Sequence, residues 1–175
     1  MVVAAVLNRP TANQVQFRTD GKPRRCICFG GDGRLRGGND LNADANGLMW
    51  FAHGACGSDA AKMGTPLGTS GLRRVEALEA AEVIRDGGAQ LNDFLLVSGV
   101  VGFECIELEQ MIEAEELCVV DGSDASSLWP QVFQLADARA DAGSENGEGG
   151  RLLSDGTTIW WASAQLGGRH SNAQQ

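Results

Sequence analysis

Two residues with reactive chemistry stand three positions apart in a glycine-rich stretch, His53 and Cys56. Cysteine attacks as its thiolate, so a histidine that takes the proton would make the pair a thiol catalyst. No acid is placed in the sequence to orient the imidazole, although Asp59 is a candidate. With Cys26 and Cys28 the same pair offers four nitrogen and sulfur atoms, the number that tetrahedral zinc takes. The single residue between Cys26 and Cys28 is a tighter spacing than zinc knuckles use. On a strand it sends both thiols to one face and Ile27 to the other. Buried, reduced thiols and one polar histidine account better for these residues, and neither metal nor cofactor is expected.

Other chemistries fail on spacing. Phe29-Gly30-Gly31-Asp32-Gly33 follows an apolar run, as phosphate loops do, but Arg34-Leu35-Arg36-Gly37-Gly38 holds no lysine and opens no helix. Asp40-Leu41-Asn42-Ala43-Asp44 alternates oxygen ligands like a calcium loop. Its turn glycine is replaced by Ala45, however, and its closing acid falls on Phe51. Glu104, Glu107 and Glu115 read as a solvated helix face, with acids near the N-terminus favoured by the dipole. Ser70, Ser126 and Ser127 have no nucleophile-elbow context. Trp160 and Trp161 are expected to pack rather than to stack on a ligand.

The elements that would position these residues follow from hydrophobic patterning. Apolar runs at 2–7, 26–29, 48–51, 94–97 and 117–120 predict short strands, the first stopped by Asn8-Arg9-Pro10. The 94–97 run continues at Val100-Val101 after a break at Ser98-Gly99. Leu72, Val75, Leu78 and Val83 or Ile84 recur at helical spacing, predicting a helix over 72–86 capped by Ser70 and ended by Gly87-Gly88. Cys105, Leu108, Met111 and Ile112 predict a second helix over about 104–116. A short helix is expected to start at 128–133, with Pro130 in its first turn. The acidic, glycine-rich stretch 137–150 predicts a mobile loop, 158–166 is a last amphipathic stretch, and residues 169–175 are expected to be a disordered tail.

The 175 residues fit one domain with a substantial core. Fourteen Lys and Arg against 23 Asp and Glu give a net charge of −9, which opposes direct contact with nucleic acid. Arg18, Lys22, Arg24, Arg25, Arg34 and Arg36 form the one basic cluster, read as a solvated loop rim. Five unevenly spaced cysteines favour a reducing, intracellular compartment over a disulfide framework. The opening MVVAAVLNRP resembles neither a signal nor a transit peptide, and no stretch reaches the ~20 apolar residues of a membrane helix.

Several segments together resemble the AlgH family (the YqgE/AlgH group), most closely its plant-like members. Val6-Leu7-Asn8-Arg9-Pro10 matches the hallmark VLNRP, Phe29-Gly30-Gly31 the next strand and turn, and 48–53 a segment ending in histidine. FLLVSGVVGF at 94–103 is similar to the strand and glycine-aromatic turn before the family's second helix. Glu107-Leu108-Glu109-Gln110 sits at that helix's Gln-Leu, 117–120 at the strand after it, and IWWASAQLGG at 159–168 is similar to the closing segment. The likeness spans residues 1–168. Asp32-Gly33 stands where the family places proline, Val100 where it has an aromatic, and Phe103 where it has tryptophan. The family's elements before VLNRP have no counterpart, which predicts an open sheet edge or core face.

The resemblance implies a single-domain α+β fold, a mixed, bifurcated, pseudo-barrel sheet flanked by helices. It implies no reaction and no DNA-reading helix. The expected function is regulation or scaffolding through an unidentified protein partner, in the cytoplasm or plastid stroma. A small thiol enzyme using Cys56 and His53, and an acidic accessory subunit of a larger assembly, are the alternatives. The expected binding surface joins Asn8, Arg9 and Pro10 with Gly30, Gly31, His53, Gly99, Gly102 and Phe103. A purely structural role for those positions, in turns and backbone contacts, is the competing account.

Overall fold

The computed structural model describes residues 1–16, 24–36, 38, 41, 47–57, 59–141 and 160–164. The chain begins with β1 (Val2–Val6), turns at Ser-free, polar Asn8-Arg9 and returns as β2 (Pro10–Val15) and β3 (Arg25–Phe29). Next come β4 (Leu48–His53), the short β5 (Thr65–Pro66), β6 (Leu72–Val75) and α1 (Ala77–Arg85). β7 (Leu95–Ser98), β8 (Val101–Phe103), α2 (Cys105–Glu113), α3 (Gly122–Ala125), α4 (Trp129–Asp141) and β9 (Trp160–Ala164) complete it.

These strands form two open sheets, and the α+β class is the one the sequence predicts. The larger has the order β2-β3-β7-β4-β6-β5, with β3 parallel to β7 and the other pairs antiparallel. The smaller has the order β8-β1-β9, all antiparallel. The break at Ser98-Gly99 moves the chain from one sheet to the other, so 94–101 supplies two strands rather than one.

Side-chain alternation gives the larger sheet two buried faces. Cys26, Cys28, Phe51, Leu72, Leu95 and Val97 pack with Trp129, Val132, Phe133 and Ala136 of α4. Trp50, Ala52, Val75, Phe94 and Leu96 pack with Ala80 of α1, where Ile27, Val83 and Ile84 join them. Cys26 and Cys28 do share a face opposite Ile27.

Four expectations change. Residues 72–75 are a strand, because Leu72 and Val75 serve opposite faces of one sheet, and the helix starts only at Ala77 with Glu76 at its N-cap. Its end is as expected. Gly87 and Gly88 donate to the carbonyls of Ile84 and Val83, and Gly87 takes φ +79°, the glycine-ended Schellman pattern. Residues 117–120 form no strand: Val119 and Val120 are 73% and 50% exposed, with no described strand beside them. Pro10–Val15 is a strand that its polar residues conceal, an edge position where proline at the first residue loses nothing. The helix beginning near 129 is long rather than short, and takes in Asp137 to Asp141, where a loop is expected. The rest of that loop, the calcium-like residues 42–46 and the tail lie outside the described residues.

Candidate functional site

The predicted surface divides into two places. Asn8, Arg9, Pro10, Gly30, Gly31 and Gly99 gather where the sheets part. The chain runs on from there along β8 to Gly102 and Phe103, which pair with Val3 and Val2 and so lie roughly 15–20 Å along β1 from Asn8. His53 is elsewhere: β4 runs antiparallel to β7 with Leu48 opposite Ser98, so His53 lies at the far end of β4, roughly 15 Å along the strand from Gly99.

The first place is a backbone crossing. Val6 N–H donates to the Gly30 carbonyl (2.9 Å), Gly30 N–H to Ser98 (2.7 Å), Gly33 N–H to Val100 (2.8 Å) and Phe29 N–H to Arg9 (2.8 Å). Side chains would block this approach. A Cβ on Gly30 would stand 2.2 Å from the Gly99 oxygen, and one on Gly31 2.3 Å from the Val100 carbonyl carbon. Gly99 has φ +79°, and its Cβ would meet the Gly31 oxygen at 2.1 Å. Gly30, Gly99, Gly102 and Phe103 are buried. Only Arg9 presents an exposed side chain, its guanidinium 5.7 Å from the Phe29 ring centre. The glycines therefore join the sheets, and little of the motif faces solvent.

The second place holds His53 and Cys56 beneath α4. The turn after β4 brings Cys56 back on His53: Cys56 N–H donates to the His53 carbonyl (2.9 Å), and His53 N–H to the Cys56 sulfur (3.4 Å). The thiol donates to the Asp93 carbonyl (2.7 Å). Burial pushes the thiol up to about 11, against the lowering effect of the His53 N–H. His53 Nδ1 accepts from Ala55 N–H (3.1 Å), so the ring is neutral with its proton on Nε2. Burial holds its pKa below the ordinary value, and Asp93 only partly opposes this. The ring packs edge-on against Phe133, 4.3 Å between centres. Here the thiol donates to a backbone carbonyl rather than to the imidazole.

Beside them lies a group that sequence reasoning misplaces on the solvated rim. Arg25 is 1% exposed, donates from Nε to the Phe94 carbonyl (2.8 Å), pairs with Asp137 of α4, and lies 5.8 Å from the Phe133 ring centre. Its other terminal nitrogen, Nη2, is buried and has no hydrogen-bond partner among the described residues. A partner 112 positions away leaves no local signal; only the i, i+4 spacing of Phe133 and Asp137 on one helix face hints at it. Of the remaining basic cluster, Arg36 pairs with Glu107 (3.3 Å), while Arg18 and Lys22 lie outside the described residues.

No three His, Cys, Asp or Glu side chains converge as metal ligands among the described residues, and no described helix is long and apolar enough to cross a membrane.

A third place emerges on α2. None of its residues is buried, and Ile106 is 69% and Ile112 37% exposed. Arg36 reaches its inner side at Glu107 and Met111. After α2 the chain reverses through Glu115, at φ +58°, and leads to the exposed Val119-Val120. Comparison with models of known protein families, with characterised proteins and with solved structures finds no match to this chain.

Proposed function

We propose that this chain is a non-enzymatic regulatory or scaffolding protein that acts by binding another protein, in a reducing compartment such as the cytoplasm or plastid stroma. The observation that carries the reading is α2, an acidic helix with no buried residue that holds Ile106 in solvent and is followed in the chain by an exposed Val119-Val120. Exposed apolar side chains grouped within a polar rim are the usual mark of a contact surface. The VLNRP turn and its paired glycines support kinship with the AlgH family. Their backbone hydrogen bonds favour a structural role for them, and the proposed contact moves away from the turn.

The thiol-enzyme alternative gains no support from a protonated Cys56. An acidic accessory subunit would be the same reading with a permanent partner. Affinity capture from the source organism tests the proposal, comparing wild type with Asn8→Ala/Arg9→Ala and with Ile106→Ser/Val119→Ser by quantitative mass spectrometry. A partner kept by the first variant and lost by the second is expected. Loss in the first variant alone would return the contact to the turn, and identical recovery by all three chains would refute the reading.

A further inference from the structure

We infer that the outer surface of α2, together with the exposed Val119-Val120 that follow it in the chain, docks a cationic amphipathic helix of a partner protein. The inference rests on the protein-contact reading above and names the partner's chemistry.

Helical geometry groups the exposed side chains. At 100° per residue, Ile112, Cys105, Glu109, Glu113, Ile106 and Gln110 span one arc of about 160°. All six are exposed, whereas Glu107, Leu108 and Met111, on the opposite side, are partly covered. The arc sets two isoleucines on either side of Glu109 and Glu113. An apolar pair with acids between it matches a helix that brings apolar anchors at i, i+3/i+4 spacing together with Lys or Arg.

Charge selects the occupant. Residues 86–138 hold eleven Asp and Glu and not one Lys or Arg. Two described cations approach α2: Arg36 is engaged from the inner side with Glu107, and the Met1 ammonium donates to the Cys105 sulfur (3.2 Å) at the start of the helix. An acidic or neutral amphipathic helix would leave Glu109, Glu113, Glu115 and Glu116 facing like charge or nothing, whereas a cationic one pairs with them. The chain's own segments supply little of that charge, residues 17–23 setting Arg18 and Lys22 against Asp20. Residues 142–159 carry three acids and one arginine, and 165–175 one arginine, too little for the acidic surface. Leu78, 81% exposed on α1, also stands beside acids, Glu79 and Glu82, but has no second exposed large apolar side chain on its helix, so it serves as a control for the apolar pairing.

The test uses the full chain and three labelled peptides of about 18 residues, five helical turns. One is Leu/Lys at amphipathic spacing, one is the same composition scrambled, and one is Leu/Glu at amphipathic spacing. Fluorescence anisotropy is read at about 0.15 M salt, where exposed charges more than about 8 Å apart are screened. The amphipathic Leu/Lys peptide is expected to bind with micromolar affinity and to slow hydrogen exchange at 105–120. Ile106→Ser/Val119→Ser should weaken it at least about tenfold, as removal of anchor residues does, with the melting curve unchanged. Leu78→Ser should not alter it.

Equal binding of the scrambled peptide would overturn the inference by reducing it to non-specific charge, and equal binding of the Leu/Glu peptide would overturn the choice of a cation. A wild-type dimer that Ile106→Ser dissolves would name a second copy as occupant instead. Residues 105–120 already protected in the free chain, and unchanged by peptide, would mean that the chain covers this face itself. If no peptide binds yet the capture experiment still loses a partner in Ile106→Ser/Val119→Ser, the contact reading stands and the cationic helix falls.

Discussion

Replacing Gly99 with alanine places a methyl carbon 2.1 Å from the Gly31 carbonyl oxygen, in backbone held at φ +79°. Two effects add. An L side chain at positive φ costs about 1 kcal/mol. Forcing an extra carbon into a packed site costs about 1–3 kcal/mol, and the upper part of that range applies because backbone, not a flexible side-chain end, must move. Gly87 isolates the first effect, since it has the same φ of +79° and nothing within 4 Å of its would-be Cβ. Gly87→Ala should therefore cost about 1 kcal/mol, and Gly99→Ala about 3–4 kcal/mol. At 2–4 °C per kcal/mol for a chain of this size, the two melting temperatures should differ by about 5–10 °C. Urea denaturation with matched slopes gives the same comparison as free energies. Equal losses in the two variants would refute the account of Gly30, Gly31 and Gly99 as a backbone crossing.

The remaining predictions concern the cluster under α4. At neutral pH, iodoacetamide should modify exposed Cys105 and Cys118 well before Cys56, whose thiol is pushed up to about 11; mass-spectrometric mapping reads the order, and equal rates would contradict the burial argument. Cys28 is pushed up to about 12, so both thiols bind protons more tightly folded than unfolded. Their contribution is complete below about pH 9 and lost as pH rises towards 11–12, a decline that Cys28→Ala/Cys56→Ala should flatten. His53 works in the opposite sense. Its folded pKa is depressed, so the unfolded chain takes the proton first, and stability falls as pH drops below 6.5 towards the folded value. In His53→Asn, which keeps an acceptor for Ala55 N–H, that part of the acid slope should be missing. Asp137→Ala should cost about 2 kcal/mol by leaving the buried Arg25 guanidinium unpaired, less than for a fully buried pair because Asp137 is partly exposed. Arg25→Met/Asp137→Leu should be the milder change, and a double variant worse than the single would argue against that reasoning.

Strands made of continuous apolar residues, such as Val2–Val6 and the Leu95-Leu96-Val97 part of β7, are legible because burial on both faces leaves no other use for them. Three-residue spacing is ambiguous. Leu72 and Val75 fit one side of a helix and equally the two faces of a strand, and only the neighbouring β4 decides. Residues 117–120 carry strand chemistry, but a strand also needs a neighbour, and their exposure is what gives them interest as a surface. Of the candidate site, the residues of the crossing itself are readable as a group through the glycines. Their distance from His53 is not, since it depends on the register of β4 against β7. The Arg25–Asp137 pair joins positions 112 residues apart, and charge alone places an arginine at the surface until a fold supplies its partner.

The most direct test of the central claim is photo-crosslinking in the source organism, with a benzophenone side chain at position 106 and, as control, at position 78. Both positions are exposed, at 69% and 81%, so reactivity with solvent does not separate them. The account predicts that position 106 crosslinks to a discrete protein through a Lys- or Arg-rich amphipathic segment, and that position 78 does not. Crosslinking to the same proteins from both positions, or to none from either, would contradict it.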